Sequence, residues 1–357
     1  MNVRINNKLL DYTKTHIVFE GGPTHNGIAS AKKLVDIAVE ANADSIKFQL
    51  LDTDRLMATG KDILFEYNCL VNEQGKEVFK KVKEPLYDIL KRRELTKNEW
   101  KELKEYCDTK GIHFFSTALY KEEVDFLADE LKVDSIKIAS SDISQIELIK
   151  YCASKNVNIQ LDTGNADLWE IEKAVIAIED EGNYNIIIHH CPSGYPARLE
   201  SINLKMISTL KEMFPNYLIA FSDHTKGWEM DIAAISFGAG MIEKTITEDR
   251  YYRSCEHSFS LEKDDAIKFV NSIRDLEKAI GNKRRLIPTD VRIKRLSTRR
   301  SAYLIKDIKK GEKLQNTHYE FKRPGYGLLE EQIKPLEGNE IKESKKIGEP
   351  LVRGDFM

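Results

Sequence analysis

The chain has 357 residues, 41% of them hydrophobic, and 55 Lys and Arg stand against 58 Asp and Glu for a formal net charge of −3. That length exceeds one ordinary domain and suits a large barrel with something small attached, while the balanced charge speaks against nucleic acid as a partner. Five widely spaced cysteines (Cys69, Cys107, Cys152, Cys191 and Cys255) without a CxxC speak against a disulfide framework or zinc knuckle, and no apolar run approaches the roughly 20 residues of a membrane helix, so the expected address is a reducing cytoplasm.

In chain order, short β-branched runs alternate with longer segments of helical periodicity. Strands are predicted at His16–Glu20, Ser45–Leu51, His113–Ala118, Ser135–Ser140, Asn158–Thr163, Tyr184–Cys191, Tyr217–Ser222 and Met241–Thr247. Helices are predicted between them at Ile28–Ala41, Lys97–Lys110, Lys121–Leu131, Ser144–Lys155, Leu168–Asp180, Leu204–Met213 and Gly227–Phe237, with Leu261–Ile280 after the last strand. Eight such units in succession imply an α/β fold, a closed parallel (β/α)8 barrel over residues 1–282. One connection, Asp52–Glu94, is long enough to be a lid or a surface excursion, with turns read at Asn68-Cys69 and Asn72–Gly75. Residues 283–297 read as a linker whose basic cluster (Lys283, Arg284, Arg285, Arg292, Lys294, Arg295, then Arg299 and Arg300) is a solvated face. From residue 298 to 357 brief strand or turn signals at Ser301–Ile305, Leu314, Tyr319–Phe321 and Ile333, with tight turns at Lys309–Glu312 and Arg323–Gly327, predict a small β-rich domain.

Active sites of such barrels lie at the carboxyl ends of the strands, and the polar residues there are Glu20, Lys47 with Gln49, Ser116-Thr117, Lys137 with Ser140, Asp162-Thr163, His189-His190, Ser222-Asp223-His224 and Glu243-Lys244-Thr245. Lys47 and Gln49 are two apart and share a face. Buried strands tolerate unpaired charge poorly, so this placement predicts a wet, charged pocket. Lysines beside hydroxyls suit a phosphate or carboxylate, and histidines near an acid suit a divalent metal.

In their shared order these segments resemble the sialic acid synthase family. Glu20–Gly27 is similar to its E-x-G-x-N-H-x-G, Lys47-Phe48-Gln49 to K-F-Q, and Lys137–Ser140 to K-I-(G/A)-S; His190-Cys191 with Tyr195-Pro196, and Ser222–Thr225, match two further signatures. The tail resembles the family's antifreeze-like (SAF) domain, through Arg299-Arg300-Ser301 with Asp307-Ile308 and Gly311-Glu312, and through Lys322–Gly325. The resemblance implies condensation of phosphoenolpyruvate with an aldehyde sugar. Glu20, Lys47, Lys137 and Glu243 are then the expected catalytic groups. Lys47, Lys137, Thr117, Ser140 and Ser222 would hold phosphoenolpyruvate, and Thr163 and Ser193 sit at further substrate-binding positions of the motifs. Gln49, Tyr195, Glu256 and Glu20 would face the sugar. His224, with His190 and Asp162 as further candidates, would hold Mn2+ or Mg2+, and Arg323 would reach across a domain-swapped homodimer. The chain departs from the family at Thr245, where a second histidine ligand is expected, at Asp162, where a serine is expected, at Ser193 and at Thr24. Asp162 is expected to serve both substrate binding and the metal charge lost at Thr245. Two other readings fit the same residues: a metal-assisted aldolase or lyase acting on a sugar, and a sugar-binding protein that has lost catalysis.

Overall fold

Alternation along each strand builds the barrel. The structure, a computed structural model, describes residues 3–281, 284 and 286–357, so Lys283 and Arg285 of the basic cluster lie outside the described residues. The strands are β1 (His16–Glu20), β2 (Ser45–Gln49), β3 (His113–Thr117), β4 (Ser135–Ile138), β5 (Asn158–Asp162), β6 (Ile186–His190), β7 (Leu218–Asp223) and β8 (Met241–Thr245). Each pairs in parallel with the next, and β8 returns to β1 with Thr245 opposite Glu20, closing the barrel as expected. Between strands run α1 (Ile28–Glu40), α2 (Lys97–Lys110), α3 (Lys121–Asp125), α4 (Ile146–Ser154), α5 (Leu168–Glu179), α6 (Lys205–Met213) and α7 (Glu229–Phe237), with α8 (Lys263–Ile280) after β8. The predicted helix at Lys121–Leu131 divides, because α3 widens into a π turn at Phe126–Glu130.

One residue parity of the strands faces the helices. Ile17, Phe19, Ile46, Phe48, Ile136 and Ile138 join the large core with α1 and its neighbours. The other parity fills the barrel and changes character along its axis. Val18, Phe115, Ile187, Leu218, Ala220 and Met241 form an apolar layer closed from outside by Val3, Ile5 and Leu10. The last three belong to a two-stranded hairpin, Arg4–Ile5 with Lys8–Leu9, which no sequence signal announces. Above this plug the inward positions are polar: Lys47, Lys137, Gln160, His189, Ser222 and Glu243 are all buried.

The long connection is an antiparallel hairpin, Leu64–Glu73 with Lys76–Pro85. Its turn is Gln74-Gly75, both with positive φ, held by Asn72 Oδ1 accepting from the Gly75 N–H at 2.9 Å. The turn predicted at Asn68-Cys69 is not formed; those residues continue the first strand, where Tyr67 and Cys69 pack with Ile89 and Cys255. All five cysteines are buried and unbridged.

The contacts divide the chain into two compact units, residues 1–281 and 282–357. Within the stretch read as a linker the sequence forms a helix, α9 (Thr289–Thr298), with no buried residue; Arg292, Lys294 and Arg295 on it are exposed, as are Arg299 and Arg300 beyond it. In the second unit β9 (Ser301–Leu304) pairs antiparallel with β10 (Tyr319–Lys322). Ala302, Leu304, Ile308, Leu314, Ile341 and Leu351 belong to its own core. Ile333 is buried there too, but at the end of a short helix, Glu330–Ile333, and not in a strand. Among the described residues no helix is long and apolar enough to cross a membrane.

Candidate active site

The inward polar layer converges at the carboxyl ends of the strands. Lys137 (β4) is fully buried and lies 2.7 Å from Glu243 (β8), 3.0 Å from Asp162 (β5) and 3.1 Å from the Ser222 hydroxyl (β7). Lys47 (β2) lies 2.5 Å from Glu20 (β1) and 3.0 Å from the same Glu243. Glu243 therefore bridges two ammonium groups from strands that are separated by one other. Burial pushes its carboxyl upward, but Lys137 and Lys47 outweigh that and hold it well below the usual range. For Lys47 burial pushes downward, yet Glu20, Glu243 and Asp162 hold it charged, well above its ordinary value. Burial raises Glu20 against the opposing pull of Lys47.

Glu20, Lys47, Asp162 and Glu243 open into a cavity of about 290 Å³, while Lys137 and Ser222 are buried behind that wall. Of the expected site residues, Glu20, Lys47, Gln49, Thr117, Ser140, Asp162, Tyr195, His224, Glu243 and Glu256 line it. Gln49 donates to Glu20 at 3.1 Å. Gly22 makes this pairing possible, since a Cβ there would stand 2.6 Å from Gln49 Cγ. Tyr195 leans edge-on over His224, ring centroids 4.8 Å apart. Glu256 sits beside Thr245, whose hydroxyl donates to it at 3.3 Å. Burial pushes Glu256 up to about 7, against the pull of Arg93.

Other expected residues lie elsewhere. His190 faces outward: its Nε2 is 2.6 Å from the Ile202 carbonyl and its ring packs on Phe221, so this imidazole does not line the strand-end cavity. Its neighbour His189 faces inward instead, between Ser222 and Gln160 at 2.9 Å each, and burial with the nearby Lys137 charge pushes it down to about 3, so it is neutral. Alternation alone shows that the two histidines diverge, but β6 is apolar on both faces and gives no sign of which one turns in. Thr163 ties its hydroxyl to the His189 carbonyl at 2.8 Å, and Ser193 donates to the Gly164 carbonyl at 3.0 Å; both line a separate cavity outside the strands. Gly164 is required by that close approach, because a Cβ would meet the Cys191 carbonyl oxygen at 2.4 Å. Lys244 points away from the cavity into the helical layer. Arg323 is exposed in the second unit. Ser141, Asp142, Asn165 and Cys191 also line the cavity and were not anticipated.

The donors present do not make a metal set. Among the described residues no three His, Cys, Asp or Glu side chains are grouped to hold an ion. Asp162 is engaged by Lys137 and accepts from Ser222 at 3.3 Å, which leaves His224 as the imidazole at the cavity wall.

A family model described as NeuB family matches residues 34–285, and one described as SAF domain matches residues 299–357. An uncharacterized protein of Methanocaldococcus jannaschii is 35% identical over 96% of this chain and 95% of its own. The N,N'-diacetyllegionaminic acid synthase of Legionella pneumophila is 32% identical over 94% of this chain and 93% of its own. Among solved structures, the N-acetylneuraminic acid (sialic acid) synthetase of Leptospira borgpetersenii superposes with a TM-score of 0.71 at 28% identity, covering 82% of this chain and 95% of that one.

Proposed function

The chain belongs to the NeuB family, and from that premise we propose that it condenses phosphoenolpyruvate with an aldehyde sugar to a 3-deoxy-2-keto sugar acid of the sialic acid type, releasing inorganic phosphate. The observation that carries this reading is the pair of buried lysines on one carboxylate, Lys47 and Lys137 on Glu243, in a strand-end cavity. In the step proposed, C3 of phosphoenolpyruvate attacks the aldehyde carbon and water adds at C2. Glu256 gives its proton to the new hydroxyl and takes one back from the water, and the water's other proton leaves on the phosphate as the C2–O bond breaks and the ketone forms. Lys47 and Lys137, with the hydroxyls of Thr117, Ser140 and Ser222, offset the phosphoryl and carboxylate charge. Glu20, Gln49, Tyr195 and Glu256 orient the sugar, and holding the two substrates in register supplies much of the rate.

A divalent metal is the cofactor the resemblance implies, and Mn2+ or Mg2+ would find one imidazole, His224. With Thr245 in place of a second and Asp162 turned to Lys137, no step above is routed through an ion. The resemblance also supports a domain-swapped homodimer in which Arg323 reaches the other copy, domain limits near residues 282 and 298, and a cytoplasmic address.

Incubating the protein with phosphoenolpyruvate and a panel of amino sugars tests the reading. Inorganic phosphate is expected only when both substrates are present; sugar cleavage without phosphoenolpyruvate would replace the synthase by a lyase.

Glu256 gives a pH signature. Its neutral form, dominant below about 7, is the proton donor to the sugar oxygen, so turnover is expected to hold at low pH and fall as pH rises through about 7. Glu256→Gln should abolish that alkaline limb; an unchanged profile in the variant would assign the limb to another group. Because folding raises this carboxyl from 4.5 to about 7, its linkage works the same way: the stability it contributes is present below 4.5 and lost as pH rises to about 7.

A further inference from the structure

A second cavity, about 470 Å³ and sharing no lining residue with the first, lies where the loop after β1, the end of the long insertion and the loop after β8 meet. Its lining carries four permanent cations, Lys33, Arg92, Arg93 and Arg253, against one carboxylate, Glu248. Glu248 already holds Lys33 at 2.7 Å, and Glu84 holds Arg92 at 2.7 Å and Arg253 at 3.8 Å. Arg93 is different. It is 4% exposed, its Nη2 donates to the Ser254 hydroxyl at 2.6 Å and contacts the Cys255 sulfur at 3.5 Å, and among the described residues no carboxylate pairs with it. A buried guanidinium without a counter-charge is unfavourable unless an anion completes it.

A second buried group on the same wall lacks a partner. His25 is 3% exposed and neither ring nitrogen makes a hydrogen bond. Burial, then Arg93, pushes its pKa down to about 4, so it is a neutral ring with one N–H to donate. Helix α1 opens on the same space through Ala29 and Ser30; it has no side-chain cap and no acid in its first turn, and the Ser30 hydroxyl donates to Glu248 at 2.5 Å.

We propose that this cavity binds a phosphate-type dianion, as free inorganic phosphate or as the phosphoryl group of a sugar phosphate, with Arg93 and His25 as its inner donors and Arg92 and Arg253 at its mouth. The guanidinium fork fits such an oxyanion in bidentate fashion. The site adjoins the chemistry through Ser254, two residues before Glu256, and through Arg93, whose charge acts on the Glu256 carboxyl.

Isothermal titration of the full chain tests this without any turnover, and the variants below separate this cavity from the first, where the synthase reading also places phosphate. Inorganic phosphate is expected to keep a binding site in Lys137→Met, where the first cavity has lost the ammonium that would hold phosphate there. It should bind Arg93→Lys, which keeps the charge but loses the fork, about tenfold more weakly, and the exposed Arg253→Gln severalfold more weakly. Glucosamine 6-phosphate binding much more tightly than inorganic phosphate, with glucosamine itself not binding, assigns the ester; equal affinities assign free phosphate. Phosphate binding lost in Lys137→Met but untouched in Arg93→Lys and Arg253→Gln, or no phosphate binding by the parent chain at millimolar concentration, overturns the proposal.

Discussion

Replacing Lys137 by methionine is expected to lower turnover about a thousandfold, with phosphate release measured from both substrates. Its ammonium stands among Glu243, Asp162 and Ser222, where the phosphoryl group of phosphoenolpyruvate would enter. Without it, Lys47 alone faces the carboxylates Glu20, Glu243 and Asp162, and the cavity repels a multiply charged anion. The loss should appear in both kcat and KM, since the charge is needed to bind the phosphate and to stabilise it on departure. Circular dichroism melting of the same variant separates this effect from unfolding. A folded variant that retains more than a tenth of parent turnover would remove Lys137 from the catalytic group.

Replacing Lys244 by methionine is expected to cost about 3–5 kcal/mol of stability, measured by urea denaturation, whatever its effect on catalysis. Lys244 is adjacent to Glu243 but belongs to the opposite face of β8. It is fully buried, pairs closely with Asp223, donates to the Thr225 carbonyl at 2.7 Å and lies 3.4 Å from Asp231. Burial, reinforced by Asp223, raises Asp231 well above the carboxylate range and keeps it neutral, whereas for Asp223 the upward push of burial is outweighed by Lys244 and its hydrogen bonds. The ammonium is thus the counter-charge of one buried carboxylate, and removing it leaves Asp223 with its Thr225 hydrogen bonds but no counter-charge. The double variant Lys244→Met with Asp223→Asn should recover part of the loss, because neither charge is then buried. A single-variant loss below about 1 kcal/mol would show that the group is not a buried ion pair in solution.

The same strand shows how far the residues could be read in advance. Glu243-Lys244-Thr245 gives three polar residues in a row, and alternation places the first and third together. It leaves open whether that pair, or Lys244, turns into the barrel. The K-F-Q spacing had the same property: Lys47 and Gln49 share a face by covalent geometry, and the structure shows that face to be the cavity wall. For His189 and His190 the neighbours Ile186, Ile187 and Ile188 are apolar at every position, so neither parity is marked. The phosphate-type site was less legible still. Arg93, His25 and Ser254 come from three loops far apart in the chain, and nothing local to any of them signals that they meet.

What the chain determined by itself was therefore the number, kind and order of its elements, together with which side chains share a face. Those properties follow from backbone geometry and from the period of apolar residues, both local. Which face turns inward, which lysine meets substrate and which supports the shell, and which distant loops pool their arginines were decided only when eight strands closed on one another. Closure sets the shear and register that give each parity its direction, and that is a property of the whole ring of strands.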